Sequence, residues 1–262
     1  MIAVYFSGTG NTQYCVEKFI AYYDNTIQFF ALENGISALK IQEETDIIFA
    51  YPIYYSNLPK IVSDFINQNP KLWNGKNIFI MATMGLFSSD GAGLSGRLFR
   101  RYGASISGGL HVKMPDCICD EKALKRSYAK NSQIVAEADK KIKMAALQLK
   151  NGSPAKNGLN FIYHMAGLFG QRLWFYNKTR NYSNKIKFDE AACILCGKCV
   201  AACPMKNLCI QENKVISDGR CTMCYRCISQ CPRKAVTLLG DKVIEQYTVK
   251  DFTRMSSQKE KR

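Results

Sequence analysis

Eight of the twelve cysteines fall into two runs of identical spacing, and that spacing limits the chain more than any other feature. The first run is Cys193-x-x-Cys196-x-x-Cys199-x-x-x-Cys203-Pro204; the second repeats it as Cys221, Cys224, Cys227 and Cys231-Pro232. Three thiolates at such intervals wrap one short loop around three corners of an iron–sulfur cubane. Each proline fixes φ directly after the last cysteine and turns the chain away. The competing chemistry is zinc, or plain buried thiols. Zinc sites pair two Cys-x-x-Cys units over a longer gap and have no use for a third cysteine two residues on. The repeat, about 28 residues long, is the one internal duplication visible in the chain.

The double run resembles that of bacterial ferredoxins with two [4Fe–4S] clusters. In such ferredoxins the fourth cysteine of each run serves the other cluster. The resemblance therefore implies one quartet of Cys193, Cys196, Cys199 and Cys231, and a second of Cys221, Cys224, Cys227 and Cys203. Lys214-Val215-Ile216 and Ala235-Val236-Thr237-Leu238 follow the two runs, where these ferredoxins carry short strands. A ferredoxin unit is expected over 185–249.

A chain of 262 residues holds one large or two smaller domains. Met1 to Phe6 already reads as a strand, with no basic n-region or cleavage site before it. A cytoplasmic setting with reduced thiols is therefore expected, as cluster ligation requires. No apolar run is long enough for an integral membrane segment. The net charge of +15 falls after residue 120, the first 120 residues being near neutral. Bound clusters would offset part of it. The basic stretch 121–185 reads as a solvated helix face that would steer acidic redox partner proteins. No nucleic-acid partner is expected, because no reading motif accompanies the charge. A homodimer stays open.

At the other end, Ile2–Phe6 is a short apolar strand, followed by Ser7-Gly8-Thr9-Gly10-Asn11-Thr12 and a helical pattern through Tyr22. Strand, small hydroxyl-and-glycine loop, then helix makes an anion cradle from backbone N–H groups and a helix N-terminus. No Gly-Lys-Ser/Thr follows, so it is not a Walker loop, and the three spaced glycines of a dinucleotide loop are missing. The loop is similar to the Ser/Thr-x-Thr-Gly-x-Thr phosphate loop of flavodoxins. Further strands are expected at Thr26–Phe30, Ile47–Tyr51, Ile78–Thr83 and Leu110–Lys113. Helices fall between them, near Ile36–Gln42, Pro59–Gln68 and Gly91–Tyr102. This alternation suits an α/β flavodoxin-like fold with a five-stranded parallel sheet of order 2-1-3-4-5 and ligands beyond the strand C-termini.

The flavodoxin resemblance implies FMN, with its phosphate held by Ser7, Gly8, Thr9, Gly10, Asn11 and Thr12. It also implies that the loops after the third and fourth strands enclose the flavin ring. Those loops contain Pro52, Ile53, Tyr54 and Tyr55, and Thr83, Met84, Gly85 and Leu86. Tyr54 or Tyr55 would stack on the ring, and backbone groups near Thr83–Leu86 would reach its polar edge. The plainer reading of such tyrosines is core or exposed loop.

Between the two units, 120–150 has the periodicity of one long amphipathic helix, ended by Asn151-Gly152-Ser153-Pro154. A mixed apolar stretch, Phe161–Tyr176, is expected as a buried helix docking the units; it is too short to span a bilayer. The resulting domains are 1–119, a helical connector 120–184, 185–249, and a polar tail to 262. Cys15, Cys209, the Cys117-x-Cys119 pair, His111 and His164 read as structural side chains without a partner pattern. The whole chain resembles fusions of a flavodoxin-like domain to a two-cluster ferredoxin domain. The resemblance implies electron transfer between two [4Fe–4S] clusters and FMN, on behalf of redox partner proteins. The rival is a flavin-dependent reductase of a quinone, an oxygen species or NAD(P), although no second Gly-rich fingerprint for a nicotinamide is present.

Overall fold

β1 (Ile2–Tyr5), β3 (Asp46–Pro52) and β4 (Asn77–Met84) are near-continuous apolar runs, which suit strands buried on both faces. The computed structural model describes residues 1–35, 38–86, 90–160, 163, 165 and 184–253. These strands join β2 (Phe29–Ala31) and β5 (Ser105–Lys113) in one parallel sheet of order β2-β1-β3-β4-β5. That is the flavodoxin-like order expected from the sequence. Successive side chains alternate between faces. Ala3, Tyr5, Ile48, Ala50, Phe79 and Met81 fill one core, while Ile2, Val4, Ile47, Phe49, Ile78 and Ile80 fill the other.

Two strand limits differ from the expectation. Thr26 donates from both its N–H and its hydroxyl to Asp24 Oδ1, at 2.9 and 2.7 Å. This local turn competes with ladder formation, and parallel pairing begins only at Phe29. β5 is longer than Leu110–Lys113 because pairing with β4 continues back to Ser105.

Helices α1 (Asn11–Tyr23), α2 (Ala38–Glu43), α3 (Lys60–Gln68) and α4 (Gly91–Arg101) alternate with the strands. α3 and α4 cover the second core through Val62, Ile66 and Phe99, with Trp73 edge-on to Phe99 at 4.8 Å between ring centroids. α5 runs from Tyr128 to Lys150. It starts later than residue 120 because Ser127 Oγ accepts from the Lys130 N–H at 3.3 Å and caps it there. α5 lies beside α1 on the first core, burying Val135, Ala138, Ile142 and Ala145. The helix expected as part of a connector thus covers the sheet.

In the C-terminal unit β6 (Lys187–Phe188) pairs with β9 (Val236–Thr237), and β7 (Leu208–Gln211) with β8 (Lys214–Ser217), both antiparallel. Short helices α6 (Lys198–Ala202) and α7 (Arg226–Ser229) each contain the third cysteine of a run, Cys199 and Cys227. α8 (Val249–Thr253) returns to the first unit and buries Val249 and Phe252 in the α1–α5 core. The expected docking helix over Phe161–Tyr176 falls almost wholly outside the described residues, as does the tail from Ser256. Among the described residues no helix is long and apolar enough to cross a membrane.

Candidate functional site

β1 ends at Tyr5 and α1 starts at Asn11, so the chain must reverse over a few residues. Gly10 makes the reversal with φ 101°, a conformation that a Cβ would disfavour. Its N–H donates to Ser7 Oγ at 3.2 Å. No side chain caps α1, which leaves helix-end N–H groups to be satisfied by an anion. Thr12 Oγ1 lies 2.8 Å from Thr83 Oγ1 at the end of β4, and Asn11 Nδ2 donates to the Pro115 carbonyl beyond β5 at 2.8 Å. Three loops are therefore tied together beyond the strand C-termini, at the switch point of the sheet.

They border a cavity of about 610 Å³. Of the residues expected to contact FMN, all but Gly10 line it: Ser7, Gly8, Thr9, Asn11 and Thr12; Pro52, Ile53, Tyr54 and Tyr55; Thr83, Met84, Gly85 and Leu86. Tyr54 and Asn57 exchange backbone hydrogen bonds at 3.1 and 2.9 Å, closing a tight turn with Tyr55 at φ 49° and Ser56 at φ 59°. That turn holds both tyrosines at the cavity wall against a conformational cost of roughly 1–2 kcal/mol per residue. The uncapped helix end and the hydroxyls suit a phosphate monoester, and the apolar remainder suits an aromatic ring system.

Sequence reasoning missed a third wall, Met114 to Ile118, which follows β5. The rule that ligands lie beyond strand C-termini applies to β5 as well and would have pointed there. Burial raises the Asp116 carboxyl, while its Oδ1 accepts from the Ile118 N–H at 2.9 Å. Burial and the adjacent Asp116 push the Cys117 thiol well up, so it is neutral at pH 7. Cys119 Sγ donates to the Cys117 carbonyl at 3.2 Å and is pushed up to about 11 by burial. Away from the cavity, Cys15 is fully buried in α1 and Cys209 sits on β7. His111 Nε2 accepts from the Ala92 N–H at 3.0 Å, joining β5 to α4. His164 lies outside the described residues.

Two smaller hollows lie in the C-terminal unit. Cys193, Cys196, Cys199 and Cys231 line one; Cys203, Cys221, Cys224 and Cys227 line the other. The fold thus gathers the cysteines into the two crossed sets. None of the eight forms a disulfide. Backbone N–H groups of Asn207, Met223 and Ala235 donate to the sulfurs of Cys203, Cys221 and Cys231, each at 3.3 Å, which favours negatively charged sulfur. Burial opposes this, raising Cys221 and Cys227 and pushing Cys224 up to about 12. Such thiols ionise when a cation arrives to compensate. Among the described residues no three His, Cys, Asp or Glu side chains close on a single-ion point; each quartet rings a hollow instead. The donor set fits a thiolate-held cluster.

The quartets are not equivalent. Cys196 of the outer one is exposed, whereas Cys224 and Cys227 of the inner one are buried. Met223 and Tyr225 line both the inner hollow and the 610 Å³ cavity. Tyr225 donates its hydroxyl to Asp120 Oδ1 at 2.9 Å, and Asp120 Oδ2 accepts from the N–H groups of Leu238 and Leu239 at 2.6 and 3.0 Å. On the opposite side, a Cβ added to Gly8 would collide with the Cys224 carbonyl oxygen and the Tyr54 hydroxyl. Glycine is required there for close approach of the inner cysteine loop.

Residues 2–93 match a model of the flavodoxin domain, and residues 185–243 match a model of the 4Fe-4S dicluster domain. Similar solved structures include the two-electron reduced flavodoxin of Megasphaera elsdenii, 19% identical with a TM-score of 0.42, covering 56% of this chain and 99% of its own. The FMN-bound flavodoxin of Fusobacterium nucleatum is 14% identical with a TM-score of 0.40, covering 57% of this chain and 96% of its own. No curated protein sequence matches the chain. With one family at each end, the chain is a fusion of an N-terminal flavodoxin domain, whose cofactor is FMN, to a C-terminal 4Fe-4S dicluster domain with two [4Fe–4S] clusters, and its role is redox electron transfer.

Proposed function

We propose that this chain is an intramolecular relay between its clusters and its flavin, with FMN in the 610 Å³ cavity and one cluster in each cysteine-lined hollow. The observation that carries the reading is the shared wall: Met223 and Tyr225 belong to the inner hollow and to the large cavity at once. When bound, flavin exchanges electrons in pairs or singly and a cubane exchanges one, so the pair joins two-electron to one-electron chemistry.

The chain supplies binding and orientation. The loop from Ser7 to Thr12 holds the phosphate; Pro52 to Tyr55 and Thr83 to Leu86 enclose the ring. Cys193, Cys196, Cys199 and Cys231 hold the outer cluster, and Cys203, Cys221, Cys224 and Cys227 the inner one. Met223 and Tyr225 fill the gap between the two sites with side chain, and Asp120 keeps Tyr225 in place. The outer quartet, whose Cys196 is exposed, is where a redox partner would exchange electrons. The basic C-terminal half favours an acidic one.

The test is rapid anaerobic mixing of the reconstituted, oxidised full-length protein with a one-electron reductant. Cluster bleaching followed by flavin bleaching, at a rate independent of protein concentration, is the expected result. Flavin bleaching that scales with protein concentration, or that never follows the clusters despite a favourable potential difference, would overturn the relay.

A further inference from the structure

Arg226 belongs to the second cysteine run by sequence and to the flavin cavity's loop by contact. It stands between Cys224 and Cys227. Its guanidinium crosses to the other unit. Nη2 donates to the Ser7 carbonyl at 2.6 Å, Nε donates to the Gly8 carbonyl at 3.1 Å, and the group pairs with Glu33. Both members of that ion pair are largely buried, with side chains 18% and 12% exposed. A truncated partner would therefore leave a charge stranded away from water.

The contact has a directional consequence. In a trans peptide the carbonyl and the following N–H point opposite ways. Holding the Ser7 and Gly8 carbonyls toward Arg226 turns the N–H groups of Gly8 and Thr9 away from the cation, where a phosphate would receive them. Gly8 also abuts the Cys224 carbonyl, so the cysteine loop cannot shift without disturbing the anion cradle.

We infer that Arg226 couples the two cofactor sites. The inner cluster loop sets the phosphate-binding form of the 7–12 loop, so an assembled inner cluster raises FMN affinity. By reciprocity, bound FMN holds the inner cluster more firmly. Arg226 acts here as a positioning residue, and the inference rests on the cofactor placement proposed above.

The experiment compares anaerobically reconstituted full-length wild type, R226Q and R226K, matched for iron content and circular dichroism. FMN affinity is read from quenching of flavin fluorescence, and cluster lability from iron release to a chelator. R226Q should bind FMN at least about tenfold more weakly, the scale of one lost charge-assisted hydrogen bond. R226K should fall between, because one ammonium cannot span two carbonyls and a carboxylate as the planar fork does. In wild type, saturating FMN should slow release of about half the iron, the inner cluster's share, and this protection should vanish in R226Q. If R226Q does not fold, R226K decides through the same two readouts. FMN affinity unchanged by the substitution, or FMN protecting iron equally in variant and wild type, would overturn the coupling while leaving the relay intact. A wild-type protein that takes up no FMN would sink both.

Discussion

A single methyl group can test how closely the 7–12 loop and the inner cysteine loop are pressed together. In Gly8→Ala the new carbon meets the Cys224 carbonyl and the Tyr54 hydroxyl. Denaturant melts should show a loss of about 1–3 kcal/mol, typical of overpacking, with weaker FMN uptake. His111 offers a pH readout. Burial first, with Lys141 adding and Asp90 opposing, pushes its imidazole down to about 4 from 6.5. Between those values the unfolded chain binds more protons than the folded one, so stability rises with pH across the window. The difference should amount to at most about 3 kcal/mol between pH 4 and 7. Urea melts of wild type and His111→Gln check it: the gap between them should narrow as pH falls from 7 to 4, and a pH-independent gap would refute the assignment. Gly8 was legible as a loop glycine, but the carbonyl it makes room for comes from a residue more than two hundred positions away.

Helix α5 was visible as a periodicity, yet its place was not. Its apolar stripe matched a connector as well as a sheet-covering helix, because amphipathic spacing states that one face is buried and not against what. In the fold that face meets α1. Ile142→Ala, at a fully buried position, should cost about 2–4 kcal/mol. Met144→Ala on the exposed face should stay within about 0.5 kcal/mol. Parallel denaturant melts of the two variants test the orientation of the helix. The segment just before it holds a second device: Asp120 accepts from Tyr225, Leu238 and Leu239 and so joins the end of the first unit to the second. Asp120→Ala strands three donors and should lower stability by at least about 3 kcal/mol. Tyr225 should lose its fixed orientation, read as a change in near-ultraviolet circular dichroism.

The two units are held together at several points, through Gly8 and Cys224, Asp120 and Tyr225, Arg226 and Glu33, and α8 against α5. The second unit has little core of its own, and Cys227 is part of it. A unit this small draws stability from what its thiolates bind. Anaerobic chelation of iron should therefore open 185–249 to limited proteolysis while the five-stranded sheet stays protected; equal resistance before and after chelation would show that the unit folds without clusters. The cysteine repeat, the hydroxyl-and-glycine loop after a short apolar strand, and the α/β alternation are signals confined to a few dozen residues. From those the sequence alone determined the cofactor classes and the sheet order, while the crossed quartets are what the ferredoxin resemblance implies. Which quartet faces the 610 Å³ cavity was decided only by tertiary structure, as was the wall of Met223 and Tyr225 and the reach of Arg226 to Ser7, 219 residues away. The reason is physical: the docking of two units sums many weak contacts over distant positions, and no local pattern carries that sum.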